Sequence, residues 1–168
     1  MSPDPSLPIL TWLSEDQALP DPEQAWGKDS PLPGLLAAGG KLSVSTLAQA
    51  YRNGIFPWYS PGDPVLWWCP DPRMVLYSSR FRLHRSLRKT LVKFRAQADC
   101  EIRIDSAFGQ VIRNCALTAR QGQNGTWIVP EVMSAYEDMH QAGLAHSVET
   151  WVRGELVGGL YLVNLGQA

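Results

Sequence analysis

The sequence predicts a protein of the α/β class, with strands and helices in an α+β arrangement. Short β-rich runs alternate with segments whose apolar residues recur at helical spacing, and two further β-rich runs flank Arg153-Gly154 as in a hairpin. Of the 168 residues, 45% are hydrophobic and 18% are charged, which excludes wholesale disorder.

The N-terminal part begins with a proline-rich arm. Seven of the thirteen prolines lie within residues 1–33, so we expect an extended segment that packs against a larger body. Ser43 is suited to cap a helix that ends at Asn53-Gly54. One face of that helix carries three apolar residues, namely Leu47, Ala50 and Tyr51.

The segment from Gly54 to Arg73 holds five prolines, two glycines and three tryptophans, and it also includes Phe56 and Tyr59. Because proline fixes φ and removes a backbone donor, we expect a rigid irregular loop and neither a helix nor a plain strand. Such a loop either presents its aromatic rings to a ligand or closes a small core. Composition alone leaves both alternatives open.

The middle of the chain is predicted to contain a strand at Met74 to Tyr77 and a helix at His84 to Phe94. Three apolar residues of that helix are expected to face inward, namely Leu87, Leu91 and Phe94. Its opposite face is basic. Four cations lie on that face, namely Arg85, Arg88, Lys89 and Lys93. Two more lie just upstream, namely Arg80 and Arg82, so six cations occur within fourteen residues.

The later elements are predicted in sequence order. A strand at Glu101 to Ile104 leads to a helix capped by Asp105 or Ser106, with Phe108, Val111, Ile112 and Cys115 as its apolar face. A polar loop covers residues 118–125. Pro130 begins a helix that ends near Gly143. Its apolar face consists of Val132, Ala135, Tyr136 and Met139, and the hairpin runs follow at His146 to Val152 and Glu155 to Val163.

Bulk composition narrows the function classes only slightly. The net charge of −1 carries no information about partners, and the three cysteines lack the spacing of a zinc site or a disulfide framework. The three histidines also lack metal spacing, so no metal is expected. The sequence shows neither a signal peptide nor a run of transmembrane length, and we expect a cytoplasmic protein without a membrane partner.

Basic and aromatic segments together favour contact with RNA, because cations hold phosphates and aromatic rings stack on bases. The alternative for the basic face is an ordinary solvated helix surface. Trp127 follows a glycine-bearing polar loop, and its side chain either contacts a ligand or covers the core. Glu149 can act as a base or bind an amine, but a hydrogen-bonded strand-edge carboxylate is the favoured interpretation.

Three blocks of sequence resemble the leucyl/phenylalanyl-tRNA–protein transferases, a family of bacterial aminoacyl-tRNA–protein transferases. The first combines Gly54 to Pro64 with Leu66 to Arg73, the second is Gly125 to Ile128, and the third combines Ala145 to Glu149 with Leu156 to Tyr161. Two shorter stretches, residues 34–43 and 107–112, match as well. The resemblance runs from about Leu32 to near the end of the chain.

This resemblance implies a small N-terminal α/β domain, residues 1–72, which includes the arm and the aromatic loop. Residues 73–168 would form the first part of a GNAT-like acyltransferase domain. Family members continue with further strands and helices, and the groups assigned to proton transfer are expected beyond Ala168. The chain is therefore expected to be truncated at its C-terminus.

The implied activity moves leucine or phenylalanine, and methionine less readily, from aminoacyl-tRNA to the α-amine of proteins that begin with arginine or lysine. This modification marks the protein for N-degron degradation, and it needs no cofactor. By position in the motifs, Trp58 and Trp127 bind the aminoacyl-adenosine end. Three basic residues contact the tRNA, namely Arg85, Lys89 and Lys93. The alternative is a catalytically inactive tRNA-binding remnant or a gene fragment.

Overall fold

A computed structural model of the chain describes residues 8–118 and 126–166. The described part contains two β-sheets and four α-helices, which confirms the predicted α/β class. The first sheet has four strands and belongs to the N-terminal part, and the second has three strands and belongs to the C-terminal part. The predicted domain division between residues 72 and 73 remains a prediction.

The first sheet is mixed and has the strand order β1-β2-β4-β3. Its strands are β1 (Thr11–Leu13), β2 (Leu35–Gly39), β3 (Phe56–Pro57) and β4 (Leu66–Trp68). The proline-rich arm contributes β1, which pairs in parallel with β2, and it also forms a short 3-10 helix at Pro22–Gln24. The arm therefore packs against a larger body, as expected.

Helix α1 (Val44–Arg52) agrees with its sequence signals. The Ser43 hydroxyl accepts the N–H of Thr46 at 3.1 Å, and Gly54 ends the helix with a φ of 71°. The predicted apolar face is confirmed, since Leu47 and Ala50 are buried.

The aromatic segment is more regular than predicted. It contains β3 and β4, which pair as antiparallel strands, so the expectation of a wholly irregular loop is wrong. Pro57 is tolerated because β3 lies at the edge of the sheet, where a missing N–H costs no ladder bond. Trp67 is fully buried, and its indole N–H donates to the carbonyl of Gly39 at 2.9 Å.

The segment after the aromatic loop differs from prediction. Residues Met74 to Tyr77 form no strand; they are exposed, and a 3-10 turn follows at Ser78–Arg80. Helix α2 (Arg85–Arg95) is present, but none of its residues is buried. Leu87 is 48% exposed and Leu91 is 36% exposed, so the predicted inward face is wrong.

The second sheet is antiparallel and has the strand order β5-β6-β7. Its strands are β5 (Cys100–Ile104), β6 (Ala145–Val152) and β7 (Glu155–Val163), which confirms the predicted strand and hairpin. Arg153 and Gly154 both have positive φ, 54° and 78°, as a two-residue hairpin turn requires. Close packing explains the glycine at position 159, because a Cβ there would lie 2.9 Å from the side chain of Val111.

Helices α3 (Phe108–Leu117) and α4 (Pro130–Gln141) bury the apolar faces predicted for them. They share one continuous core with the N-terminal elements, to which Leu47, Ile55, Trp67, Ile112, Val132 and Met139 contribute. The hydroxyls of Tyr51 on α1 and Tyr136 on α4 are joined by a hydrogen bond. Of the predicted polar loop, residues 119–125 lie outside the described residues. No described helix is long and apolar enough to cross a membrane.

Candidate functional site

The aromatic loop places Trp58 at the surface. Trp58 directly follows the edge strand β3, its N–H donates to the carbonyl of Leu66 at 2.9 Å, and its side chain is 52% exposed. The ring lies 6.2 Å from that of Trp68 at an interplanar angle of 53°, and the indole N–H of Trp68 donates to the carbonyl of Trp58 at 2.7 Å. Backbone and indole contacts therefore hold Trp58 while one face of its ring stays accessible.

Trp127 occupies a different environment. It is partly buried against the core, and its ring meets that of Tyr136 edge-to-face at 6.2 Å. Tyr136 also contacts the rings of Tyr51 and Tyr161, which places it at the centre of an aromatic cluster. Burial is the main cause that raises the pKa of Tyr136, so its hydroxyl stays protonated. Trp58 therefore pairs with Trp68 at the surface, whereas Trp127 belongs to the cluster around Tyr136 and packs against the core.

Helix α2 brings the three predicted basic residues to one face. Arg85, Lys89 and Lys93 are separated by four residues each, so they lie along a single stripe, and all three are exposed. Eight of the fifteen lysines and arginines lie between positions 73 and 95, and no acidic residue occurs from 73 to 98. Among the ion pairs between described residues, none involves a cation of α2.

Glu149 is buried at the centre of a hydrogen-bond network on β6. Its carboxylate accepts the N–H of Ala107 at 2.9 Å, the hydroxyl of Ser147 at 2.7 Å and the indole N–H of Trp151 at 3.1 Å. The hydroxyl of Ser106 donates to it as well. Burial alone would raise the pKa of Glu149, but the four hydrogen bonds outweigh burial and lower the pKa to about 2.

This network corrects one prediction and confirms another. Neither Asp105 nor Ser106 caps α3 with its side chain; the residue before the helix is Ala107, whose N–H is bound by Glu149 from the neighbouring strand. The favoured interpretation of Glu149 as a hydrogen-bonded carboxylate is confirmed. Its placement at a sheet edge is wrong, because β6 is the central strand.

Asp105 forms a second contact between the start of α3 and β6. It has a positive φ of 56°, and its carboxylate accepts the N–H of Ser147 at 2.8 Å and contacts Nδ1 of His146 at 2.7 Å. Burial opposes the shift, but the bonds from His146 and Ser147 lower the pKa of Asp105. Both acids at this corner are therefore ionised near neutral pH and already bound by donors.

A cavity of about 890 Å³ lies beside the aromatic loop, and its lining includes residues 40–42, the turn at residues 61–65 and one side of α4 as far as Asp138. Sequence reasoning missed it, because its walls are about 70 residues apart along the chain. One signal was available. Glu131 and Asp138 are seven residues apart, which places both carboxylates on the same side of a helix. The structure shows no cluster of described residues suited to hold a metal ion.

Comparison with known proteins identifies one family over most of the chain. A family model described as leucyl/phenylalanyl-tRNA protein transferase matches residues 75–168, and one described as the N-terminal domain of the same transferase matches residues 40–71. Curated proteins named leucyl/phenylalanyl-tRNA–protein transferase are 61% identical in Polaromonas sp. and 60% identical in Albidiferax ferrireducens. The alignments cover 94% and 96% of this chain.

The fold and the exposed basic and aromatic surfaces thus define an α/β protein with two sheets, an exposed cationic helix and an exposed tryptophan on the aromatic loop. The chain belongs to the leucyl/phenylalanyl-tRNA protein transferase family. It spans 62% and 63% of the lengths of the two relatives.

Proposed function

We propose that this chain is an aminoacyltransferase that uses aminoacyl-tRNA as its donor. The group moved is leucine or phenylalanine, and methionine less readily, and the acceptor is the α-amino group of a protein that begins with arginine or lysine. The modified protein is marked for N-degron degradation, in the cytoplasm. The single observation that carries the proposal is the family match, which extends over both residues 40–71 and residues 75–168.

The reaction is an aminolysis of an ester. The acceptor nitrogen attacks the carbonyl carbon of the aminoacyl ester, a C–N bond forms and the C–O bond to the ribose breaks. The amine loses a proton and the departing ribose oxygen gains one. Every bond that forms or breaks lies within the two substrates, so the main task of the protein is to position those substrates.

Binding of the tRNA is assigned to the two exposed surfaces. Arg85, Lys89 and Lys93 form a row of cations without a described acidic partner, which suits contact with successive phosphates of the acceptor stem. Trp58 offers an open ring face for stacking at the aminoacyl-adenosine end. Trp127 is assigned to the same end, with its edge-to-face contact to Tyr136 holding its ring.

A tRNA-binding protein without transfer activity is the second candidate. One observation favours it: Glu149, the acid that the sequence offered as a base, accepts four hydrogen bonds and has a pKa of about 2. A carboxylate of such low basicity is a poor proton acceptor for an ammonium group. In this alternative the stacking loop and α2 bind the tRNA, and no amide bond forms.

One experiment separates the two candidates. The purified 168-residue chain is mixed with tRNA carrying labelled phenylalanine and with a peptide that begins with arginine, and tRNA binding is recorded in parallel. We expect labelled peptide to form, and a peptide with an acetylated N-terminus serves as the control. Binding without product would support the second candidate. Loss of both binding and product would contradict both assignments.

A further inference from the structure

Arg73 joins the two ends of the aromatic loop. It is the last residue of the segment that begins at Gly54, and its guanidinium donates a hydrogen bond to the carbonyl of Gly54. The same guanidinium lies over the ring of Phe56, with Cζ 5.6 Å from the ring centroid. One side chain therefore connects the end of the loop to residues at its start, of which Gly54 lies 19 positions earlier in the chain.

The start of the loop leaves room for this side chain. Gly54 has a φ of 71°, and a Cβ at that position would lie only 3.2 Å from Nη1 of Arg73. Gly54 also lies just after the end of α1, where the partial negative charge of the helix C-terminus favours a nearby cation. Glycine at position 54 therefore allows both the turn that ends the helix and the approach of the guanidinium.

The contacts of Arg73 lie directly before Trp58. Phe56 and Pro57 form β3, and Trp58 is the next residue. A strand of two residues at the edge of a sheet has few ladder bonds to hold it in place. Arg73 adds a hydrogen bond at Gly54 and a ring contact at Phe56, so it restrains the backbone that leads into Trp58.

A direct contact with a tRNA phosphate is the alternative role for Arg73, because its side chain is exposed and lies at the start of the cationic segment. The geometry favours the role within the protein. One N–H of the guanidinium is bound by the carbonyl of Gly54, and one face of its plane lies against Phe56. A guanidinium is planar and carries several donors, so it can make both contacts at once, and both turn it toward the protein.

We propose that Arg73 is a positioning residue for aminoacyl-tRNA binding. It holds the start of the aromatic loop and thereby keeps the ring of Trp58 in the orientation that leaves one face open for stacking. The proposal rests on the function proposed above for Trp58, and it requires no contact between Arg73 and the tRNA. Without the contacts of Arg73, the loop has to be ordered when the tRNA binds, and that ordering lowers the affinity.

A double-mutant cycle tests this role. Arg73→Gln is expected to weaken binding of aminoacyl-tRNA about threefold to tenfold, which is part of the effect expected for loss of the stacked ring itself. In a chain that already carries Trp58→Ala, the same substitution should weaken binding less than about twofold, because no ring remains to be positioned. Equal weakening in both backgrounds would show that Arg73 acts independently of Trp58 and would overturn the proposal.

The salt dependence of binding distinguishes positioning from a phosphate contact. Loss of one phosphate contact makes the plot of log affinity against log salt shallower by roughly 0.7 to 0.9. Arg73→Gln is expected to leave this slope unchanged while the affinity falls, and a shallower slope would contradict the proposal.

Arg52→Gln is the matched control for charge. Arg52 lies in the last turn of α1, is exposed, and loses the same charge on substitution. Its substitution should leave the affinity for aminoacyl-tRNA unchanged. If Arg52→Gln weakens binding as much as Arg73→Gln does, the effect comes from local charge and the proposal is wrong.

A measurement without tRNA separates this proposal from the proposed function. The chain is labelled with 5-fluorotryptophan, and the fluorine resonance of Trp58 is identified by its loss in Trp58→Phe. We expect Arg73→Gln to shift or broaden that resonance, whereas Arg52→Gln leaves it unchanged. An unaltered Trp58 resonance in Arg73→Gln would overturn the positioning role. Failure of the chain to bind tRNA would instead contradict the proposed function, and the fluorine spectrum would still decide whether Arg73 holds Trp58.

Discussion

Helices α2 and α3 have similar amphipathic patterns but lie in opposite environments. The apolar residues Val111 and Ile112 of α3 are buried between α4 and the second sheet, whereas Leu87 and Leu91 of α2 remain partly exposed. Helix α2 instead contributes its charges, which have no described acidic partners. The comparison teaches that helical periodicity identifies an apolar face but does not identify what covers it. The stability of the chain should therefore depend on α3, α4 and the Glu149 network, and its binding on α2 and the aromatic loop.

The largest expected effect lies in the buried network. Glu149→Ala removes the acceptor of four donors, and two of those donors are the Ala107 N–H and the hydroxyl of Ser147. Each buried donor left unpaired costs about 1–3 kcal/mol, so the free energy of unfolding should fall by roughly 4 kcal/mol. Unfolding in denaturant measures this change in the free energy of unfolding. Glu155→Ala, an exposed acid on the next strand, should change stability by less than about 0.5 kcal/mol, and equal effects of the two substitutions would contradict the role of the network.

Core truncation compares the two helical regions directly. Met139 on α4 is fully buried, and Met139→Ala should lower the free energy of unfolding by about 3 kcal/mol through lost burial and the cavity that remains. Leu87→Ala on α2 should lower it by less than about 1 kcal/mol, because the leucine is already half exposed. Both variants are measured in the same denaturant series. If Leu87→Ala costs as much as Met139→Ala, the contrast between the two regions does not hold.

Acid should destabilise the buried network in a defined pH range. The pKa of Glu149 is about 2 in the folded chain against an ordinary 4.5, so its stabilisation is complete above pH 4.5 and is lost as pH falls from about 4.5 toward 2. The full contribution is roughly 3 kcal/mol, because the pKa falls from 4.5 to about 2 on folding. Unfolding free energies measured across this range should fall less steeply for Glu149→Gln than for the unmodified chain. Parallel curves would show that other carboxyl groups control acid unfolding.

These network effects mark the limit of what the sequence could predict. Ser43, Pro130, Gly143 and the Arg153-Gly154 turn carry local signals, and the elements that they bound were predicted correctly. The cap of α3 was not predicted correctly. Glu149 lies more than 40 residues along the chain from the Ala107 N–H that it binds, and no local sequence pattern encodes that contact.

The aromatic and basic segments show the same limit for the candidate site. Loop composition predicted that Trp58 is held by backbone constraint, and helical spacing predicted the row of Arg85 and Lys89. The strand predicted at Met74 to Tyr77 was wrong, since β-rich composition favours a strand only where a neighbouring strand pairs with it. The acidic cavity depends on two segments about 70 residues apart, so only the tertiary structure reveals it.

The exposed tryptophan tests the binding side of the comparison. Trp58→Ala should weaken binding of aminoacyl-tRNA by roughly 1–3 kcal/mol, the usual contribution of one base stacked on an aromatic ring. Trp12→Ala provides a matched control, because Trp12 is also an exposed tryptophan of the N-terminal sheet but lies on β1. Filter binding at fixed salt measures the affinity of both variants for aminoacyl-tRNA. Unchanged affinity after Trp58→Ala would assign this ring to packing against Trp68.

The smallest effect on stability and the most specific effect on binding are expected from α2 itself. Reversing Arg85 and Lys89 to glutamate should change the free energy of unfolding by less than about 1 kcal/mol, since neither residue is buried or ion-paired within the described chain. The same change removes two phosphate contacts, so the plot of log affinity against log salt should become shallower by roughly 1.5 to 2. Reversal of Lys28 and Arg52, which are exposed outside α2, alters the net charge equally. If both reversals flatten the plot to the same extent, the tRNA responds to overall charge, and the contrast between a stabilising pair of helices and a binding helix fails.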